Sequence, residues 1–307
     1  FTVLPNGTDD TENLKVAFAD AIAAGPGSTV LLVEGTYNLG FIEIRDFFGS
    51  FCGSGKGKTI INFLSNMDCS AYTYVYDLIN IRFIGGELFM SDMTLNSPTE
   101  KICATGGWNK GGVLAMVAIS SASSKYSSGM FVKAVVSNVE FISLKPGWGY
   151  SGFSYVGGLL FGQCGTWQPL PSRMKGDVTV TGCTFDTFYQ AFAPVYLGDS
   201  KVSVTDCCFS NSVYNIDAVD DINIDMEIKG NKFDIYQNAY GIRFWNTYIS
   251  SYTIFEPQVR RSTCSISHNE FNEAGSWLGI RILDQRRQRN ENMPIVCEIK
   301  NNVFKLS

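Results

Sequence analysis

The sequence predicts an all-β fold: a single-stranded right-handed parallel β-helix solenoid with an N-terminal capping α-helix. Three observations predict it. One eight-residue template recurs at 178–185, 202–209, 226–233, 264–271 and 297–304, reading apolar, x, apolar, x, a small or polar turn residue, Cys or Asn, x, Phe. The first three template phenylalanines are 24 residues apart and the next gaps are 38 and 33, a fixed period lengthened where loops are inserted. Alternation of period two running into a polar corner makes each unit a strand and a turn, and such strands bury their apolar face only by stacking coil on coil, about 4.8 Å apart. Phe83, Phe141, Phe185, Phe209, Phe233, Phe271 and Phe304 are then expected in one inward column. Asn231, Asn269 and Asn302 should form a second column at the turn, with Cys183 and Cys207 replacing them in earlier coils.

Taken in order, the chain opens with a helix signal. Asp9 is the expected N-cap and Glu12 closes a capping box. Leu14, Ala17, Phe18, Ala21 and Ile22 share one face, and Gly25-Pro26-Gly27 stops the helix. Laid across the open end of a solenoid, such a helix acts as a plug. Residues 29–33 and 35–39 are the first strands. The expected organisation is one continuous domain, with residues 1–40 as the cap and 41–307 as coils carrying aromatic, Gly-rich loop insertions. Gly53-Ser-Gly-Lys-Gly-Lys-Thr59 departs from a phosphate loop at Cys52 and is followed by a β-branched strand, so it reads as a corner between coils. Three Gly-rich loops carry Trp108, Trp148 and Trp167; such rings can stack on sugars, or fold back onto the solenoid.

Composition narrows the function. Hydrophobic content of 45% with 17% charged residues is that of a well-buried protein, no apolar run is long enough to span a bilayer, and a net charge of −5 argues against nucleic acid as the partner. The nine cysteines follow no metal-ligand spacing; Cys183 and Cys207 are expected one above the other, as stacked thiols or as a disulfide. The single histidine, His268, lies in a repeat turn, which excludes histidine-based hydrolysis and a zinc centre. Seven of ten arginines follow residue 240, a basic flank suited to an anionic glycan, or simply solvated loop charge.

A second strand follows each template phenylalanine by about eight residues, and alternation there places Ile242 with Phe244, and Ile280 with Ile282, inward. Asp217, Asp221, Arg243, Trp245 and Arg281 are then expected on one solvent-facing strip. That strip could hold an extended polysaccharide, or it could be an Asp–Arg ladder that only keeps strands in register.

The segment Asn6-Gly-Thr-Asp-Asp-Thr-Glu-Asn-Leu14, followed by Gly27-Ser-Thr-Val-Leu-Leu-Val-Glu-Gly-Thr-Tyr37, resembles the N-terminal cap of the pectin-lyase-like superfamily, although Val33-Glu34 stands where the family has a Pro-containing strand. The resemblance implies a β-helix acting on polysaccharide as a lyase or glycoside hydrolase, or a non-catalytic glycan-binding, adhesive or structural module. Against the polygalacturonase motifs, Asn215-Ile-Asp217 and Asp220-Asp221 look similar but share one coil, and Gly279-Ile-Arg281 lacks the following Lys. Against the pectate lyases, Asp217 and Asp221 would hold Ca²⁺ and Arg243 would abstract the proton beside a uronate carboxylate that Arg281 clamps. A glycan partner implies an extracellular or cell-surface setting. Because no helix or charged cap follows Phe304 in the sequence, a continuation of the chain or a partner subunit is expected to cover that end.

Overall fold

The computed structural model describes residues 1–64, 79–97, 113–120, 131–143, 155–162, 174–195, 197–219, 223–235, 239–246, 262–273, 279–284 and 296–306. Every strand pairing within them is parallel and joins one coil to the next: Val178 faces Val202, Val202 faces Met226, Met226 faces Cys264 and Cys264 faces Cys297. The molecule is a right-handed parallel β-helix. Its described strands form a seventeen-stranded sheet, folded into two limbs at a tight corner in each coil, and an eight-stranded sheet that closes the coil. The first limb holds the template strands, such as Lys201–Thr205, the second the short strands bearing the phenylalanines, such as Cys208–Ser210, and the eight-stranded sheet the strands that follow, such as Tyr214–Val219.

Six of the seven expected phenylalanines stack as foreseen. Phe141, Phe185, Phe209, Phe233, Phe271 and Phe304 lie with ring centroids 4.8–5.0 Å apart and planes within 9° of parallel. Phe83 does not join them. It is buried, but on the eight-stranded sheet, where it packs near Phe18 and Phe51; Leu95 occupies its place in the column, opposite Phe141. Ile81 and Phe83 carry the same period-two alternation as the template, so sequence alone does not separate this strand from the one bearing Leu95.

At the corner, Asn231 Nδ2 donates to Asn269 Oδ1 at 3.0 Å and Asn269 Nδ2 to Asn302 Oδ1 at 2.9 Å. Cys183 and Cys207 continue this column as buried free thiols, so the stacked-thiol alternative holds rather than the disulfide. A hydrogen bond from Cys207 holds the Cys183 thiol below its usual range, while burial pushes that of Cys207 up. The residue ahead of the column is left-handed in every coil: Gly182, Asp206, Gly230, His268 and Asn301 have φ of 55–68°. His268 therefore serves the turn. At Gly230 a Cβ would come within 2.5 Å of Asp206 Oδ1, the end of an exposed side chain that can turn aside, and the same position accepts Asp206, His268 and Asn301 in other coils.

The helix runs Thr11–Ala24 and buries Leu14, Ala17, Phe18 and Ala21 over the first coil; Ile22 is 38% exposed. Its cap differs from expectation. Asp10, not Asp9, holds the N-cap position, and its buried carboxylate accepts from the backbone N–H groups of Asn6 and Asn38, tying loop to strand rather than capping the helix. Asp9 accepts from Thr11 N–H, and Glu12 pairs with Lys15 instead of closing a box. No described helix is long and apolar enough to cross a membrane. At the opposite end Ile299 and Phe304, both at core register positions, are 48% and 49% exposed.

Candidate functional site

The strip expected to carry chemistry lies on the outer face of the eight-stranded sheet. In strand Tyr214–Val219, Ile216 and Ala218 enter the core, and in Tyr240–Asn246 Ile242 and Phe244 do so, which turns Asp217 and Arg243 to the other face. The register runs a single column along that face. It begins at Glu43 and Arg82, passes through Ala118, Leu160 and Ala193, and ends at Asp217, Arg243 and Arg281. The middle of the column is apolar: Ala118 and Leu160 form a separate cluster with Ile79, Ala115 and Tyr189. Charge is confined to the two ends.

Asp217 and Arg243 are brought together, but not in solvent as expected. Asp217 is fully buried and Arg243 is 8% exposed. Arg243 Nε donates to Asp217 Oδ1 and its Nη2 to Oδ2, both at 2.6 Å, and Gln190 Nε2 donates to Oδ2 as well. The guanidinium lies 3.5 Å from the centroid of the Tyr214 ring, which stacks on Tyr240 at 5.5 Å and meets Tyr189 edge-on at 5.2 Å. Burial opposes the Arg243 charge, but the hydrogen bonds and the negative charge of Asp217 outweigh it and raise its pKa further. Arg243 is thus a fixed cation and cannot serve as a general base in this arrangement. Arg281, one strand on, is partly exposed and donates from Nη1 to the Tyr240 hydroxyl at 2.8 Å.

Trp245 occupies a position in strand Tyr240–Asn246 paired with Val219 and Leu283, and its side chain lies outside the described residues. Asp221, Trp108, Trp148 and Trp167 also lie outside them. The tyrosines and Gln190 were missed in the sequence. A tyrosine does recur at the start of this sheet's strands, at 189, 214 and 240, but it drifts from four to seven residues behind the template phenylalanine and so escapes a fixed-offset reading.

The donor set at Asp217 does not fit Ca²⁺. Both of its oxygens already accept from nitrogen donors and its charge is balanced by Arg243, whereas Ca²⁺ needs several free oxygen ligands. No cluster of three or more metal-ligating side chains occurs among the described residues.

The sequence matches no protein-family model and no curated protein. Solved structures do match. Escherichia coli YbhC superimposes with a TM-score of 0.57 at 11% identity, covering 99% of this chain and 84% of its own. A mutant of the PL6 family alginate lyase AlyGC gives 0.54 at 13% identity; 99% of this chain is covered, which spans 39% of that lyase. Pectin methylesterase PemA from Erwinia chrysanthemi gives 0.49 at 10% identity, over 99% of this chain and 88% of its own. The first two share this chain's overall fold. At such identities the likeness is one of fold, and the chemistry must be argued from this chain's own residues.

Proposed function

We propose that this protein is a carbohydrate-active β-helix protein that acts on an extended, uronate-containing polysaccharide laid across the outer face of the eight-stranded sheet, as a polysaccharide lyase or a glycoside hydrolase. The observation that carries the proposal is the partly exposed Arg281, held by the Tyr240 hydroxyl, beside the partly exposed Tyr214 that the buried Asp217–Arg243 pair fixes in place. Guanidinium groups pair with carboxylates in two-point contacts, and aromatic faces stack on sugar rings. In this reading Arg281, the more exposed of the two arginines, holds a uronate carboxylate and neutralises its charge. The Asp217–Arg243 pair positions Tyr214 beneath it. Elimination suits the site better than hydrolysis: in the described column the carboxylate other than Asp217 is Glu43, five strands away, roughly 24 Å at ~4.8 Å per strand. A hydrolase needs its second carboxylate within about 10 Å, and no other residue of the described column supplies one there.

The other reading is a glycan-binding module without turnover, supported by the full use of Asp217's oxygens within the protein. In either case a polysaccharide ligand implies an extracellular or cell-surface location. Incubation with polygalacturonate and alginate, each with and without Ca²⁺, separates the readings. Unsaturated products absorbing in the ultraviolet identify a lyase, new reducing ends without unsaturation a hydrolase, and retention without products a binding module. If neither polymer is retained or cleaved, the proposal fails. Arg281→Ala should abolish at least nine-tenths of turnover or retention while the fold persists.

A further inference from the structure

A second pair of stacked cysteines lies in the template strands of the last two coils. The inward column there reads Val178, Val202, Met226, Cys264 and Cys297, with Cys264 directly opposite Cys297. Both are free thiols. Cys264 is 3% exposed within the core, and Cys297, half-buried, packs against that core from its rim. The two thiols are within hydrogen-bonding reach of each other: a bond from Cys264 holds the Cys297 thiol below its usual range, and the same bond, with burial, pushes that of Cys264 well up. Cys183 and Cys207 are polarised in the same way, but each is 1% exposed inside the stack. Among the described residues Val296–Lys300 pairs on one side only, with Thr263–Ser267, so Cys297 is the reachable thiol of the four.

We infer that Cys297 is a thiol–disulfide exchange site with Cys264 as its resolving thiol, and that the bond they form staples the last coil to the one before it. Facing residues of neighbouring coils have their Cα atoms ~4.8 Å apart, within the range that a disulfide spans. Closing the bond draws the sulfurs in to ~2.05 Å, which requires one strand to shift. A strand paired on one side can shift; strands held from both sides, as in the coils around Cys207, resist it. The oxidant is a low-molecular-weight disulfide. The Cys297 thiolate attacks one of its sulfurs, forming a mixed disulfide and releasing the first small thiolate. Cys264 then loses its proton and attacks the Cys297 sulfur, forming the Cys264–Cys297 bond and expelling the second small thiolate. Two protein thiols are oxidised, one small disulfide is reduced, and the two protons lost by the cysteines end on the two small thiols. Access sets the order: the incoming disulfide meets Cys297 at the rim, not Cys264 beneath it. The bond closes the loop 264–297, which includes the strand Ile280–Asp284 bearing Arg281, so that strand is tethered from both sides in the chain.

The linkage is independent of the proposed action on a glycan, because it is read by mass and not by turnover. The protein is reduced with a dithiol, freed of it, incubated with oxidised glutathione and peptide-mapped by mass spectrometry. Most chains should carry a Cys264–Cys297 cross-link, with Cys183 and Cys207 recovered as thiols. Cys264→Val should trap glutathione on Cys297, and Cys297→Val should leave Cys264 unmodified; valine suits this column, which already holds Val178 and Val202. In the cross-linked protein, amide exchange over 280–284 and 297–300 should slow about tenfold or more, and adding dithiol should restore the faster rate. Absence of the cross-link in the parent, glutathione on Cys264 in Cys297→Val, or an equal yield of Cys183–Cys207 cross-link would each overturn the exchange site. Unchanged amide exchange in the cross-linked protein would overturn the staple.

Discussion

At the scale of single residues, the Asp217–Arg243 pair is the feature whose chemistry changed most between sequence and structure. Period-two alternation placed both side chains on the outer face, and they are there. It could not reveal that the face is closed at that point, because burial depends on the rest of the molecule and not on the strand's own pattern. The consequence is energetic. A buried ion pair contributes little beyond what a well-packed apolar pair would, yet removing one partner strands the other charge. Asp217→Ala should therefore cost about 3–5 kcal/mol of stability in denaturant unfolding, and Arg243→Ala should also lower the midpoint, unlike a solvent-facing arginine. The pair Asp217→Leu/Arg243→Met should regain most of the loss. If Asp217→Ala leaves the midpoint unchanged, the carboxylate is not the partner that keeps Arg243 folded in.

At the scale of elements, the corner turn was the most legible part of the chain. The amide column was read from Asn231, Asn269 and Asn302 because a turn residue that must hydrogen-bond to its own copies in neighbouring coils has few substitutes. Asn269→Ala would leave the Asn231 N–H, the Asn231 amide and the Ile228 carbonyl without this partner. At about 1–3 kcal/mol for each buried group left unpaired, it should be among the more damaging turn substitutions, measurable by equilibrium unfolding. The helix cap was less legible, since Asp9 and Asp10 are chemically equal and only the contact of Asp10 with Asn38, a residue 28 positions on, decides between them. Next to this cap, Tyr37 donates to the carbonyls of Val3 and Val33, and burial, assisted by the charge of Asp10, pushes its pKa from 10.0 to about 12. The folded state then holds the proton where the unfolded chain has released it. The contribution of Tyr37 is complete below pH 10 and is lost as pH rises towards 12. Tyr37→Phe should flatten that part of the stability profile, while costing about 1 kcal/mol at neutral pH for its hydrogen bonds. A profile as steep in the variant as in the parent would assign the alkaline loss to other groups.

At the scale of the whole molecule, the fold could be read because a solenoid writes one coil's requirements into the sequence again and again. The site could not, because it is assembled across coils from positions that each occur once. Tyr214, Tyr240 and Gln190 become neighbours only through the register of strands 24 or more residues apart. The same repetition makes stability approximately a sum of coil terms and nearest-neighbour interfaces. Each phenylalanine of the column contributes through the coil above and the coil below, so its worth depends on how many of those neighbours it has. Phe209 is stacked on both sides, by Phe185 and Phe233 at 5.0 Å, and is 1% exposed. Phe304 has Phe271 on one side at 4.8 Å and is 49% exposed. Deleting a fully buried ring removes its transfer energy and leaves a cavity that the flanking strands cannot close, so Phe209→Ala should cost about 3–5 kcal/mol. Phe304→Ala loses roughly half that burial and opens no enclosed cavity, and should cost less than about 2 kcal/mol. Amide hydrogen exchange should separate the two variants as well: protection falls through the central coils in the first and only in the last coil in the second. Equal losses at both positions, or protection lost throughout the chain in the Phe304 variant, would mean that the solenoid unfolds as one cooperative unit and that the coil-by-coil sum does not describe it.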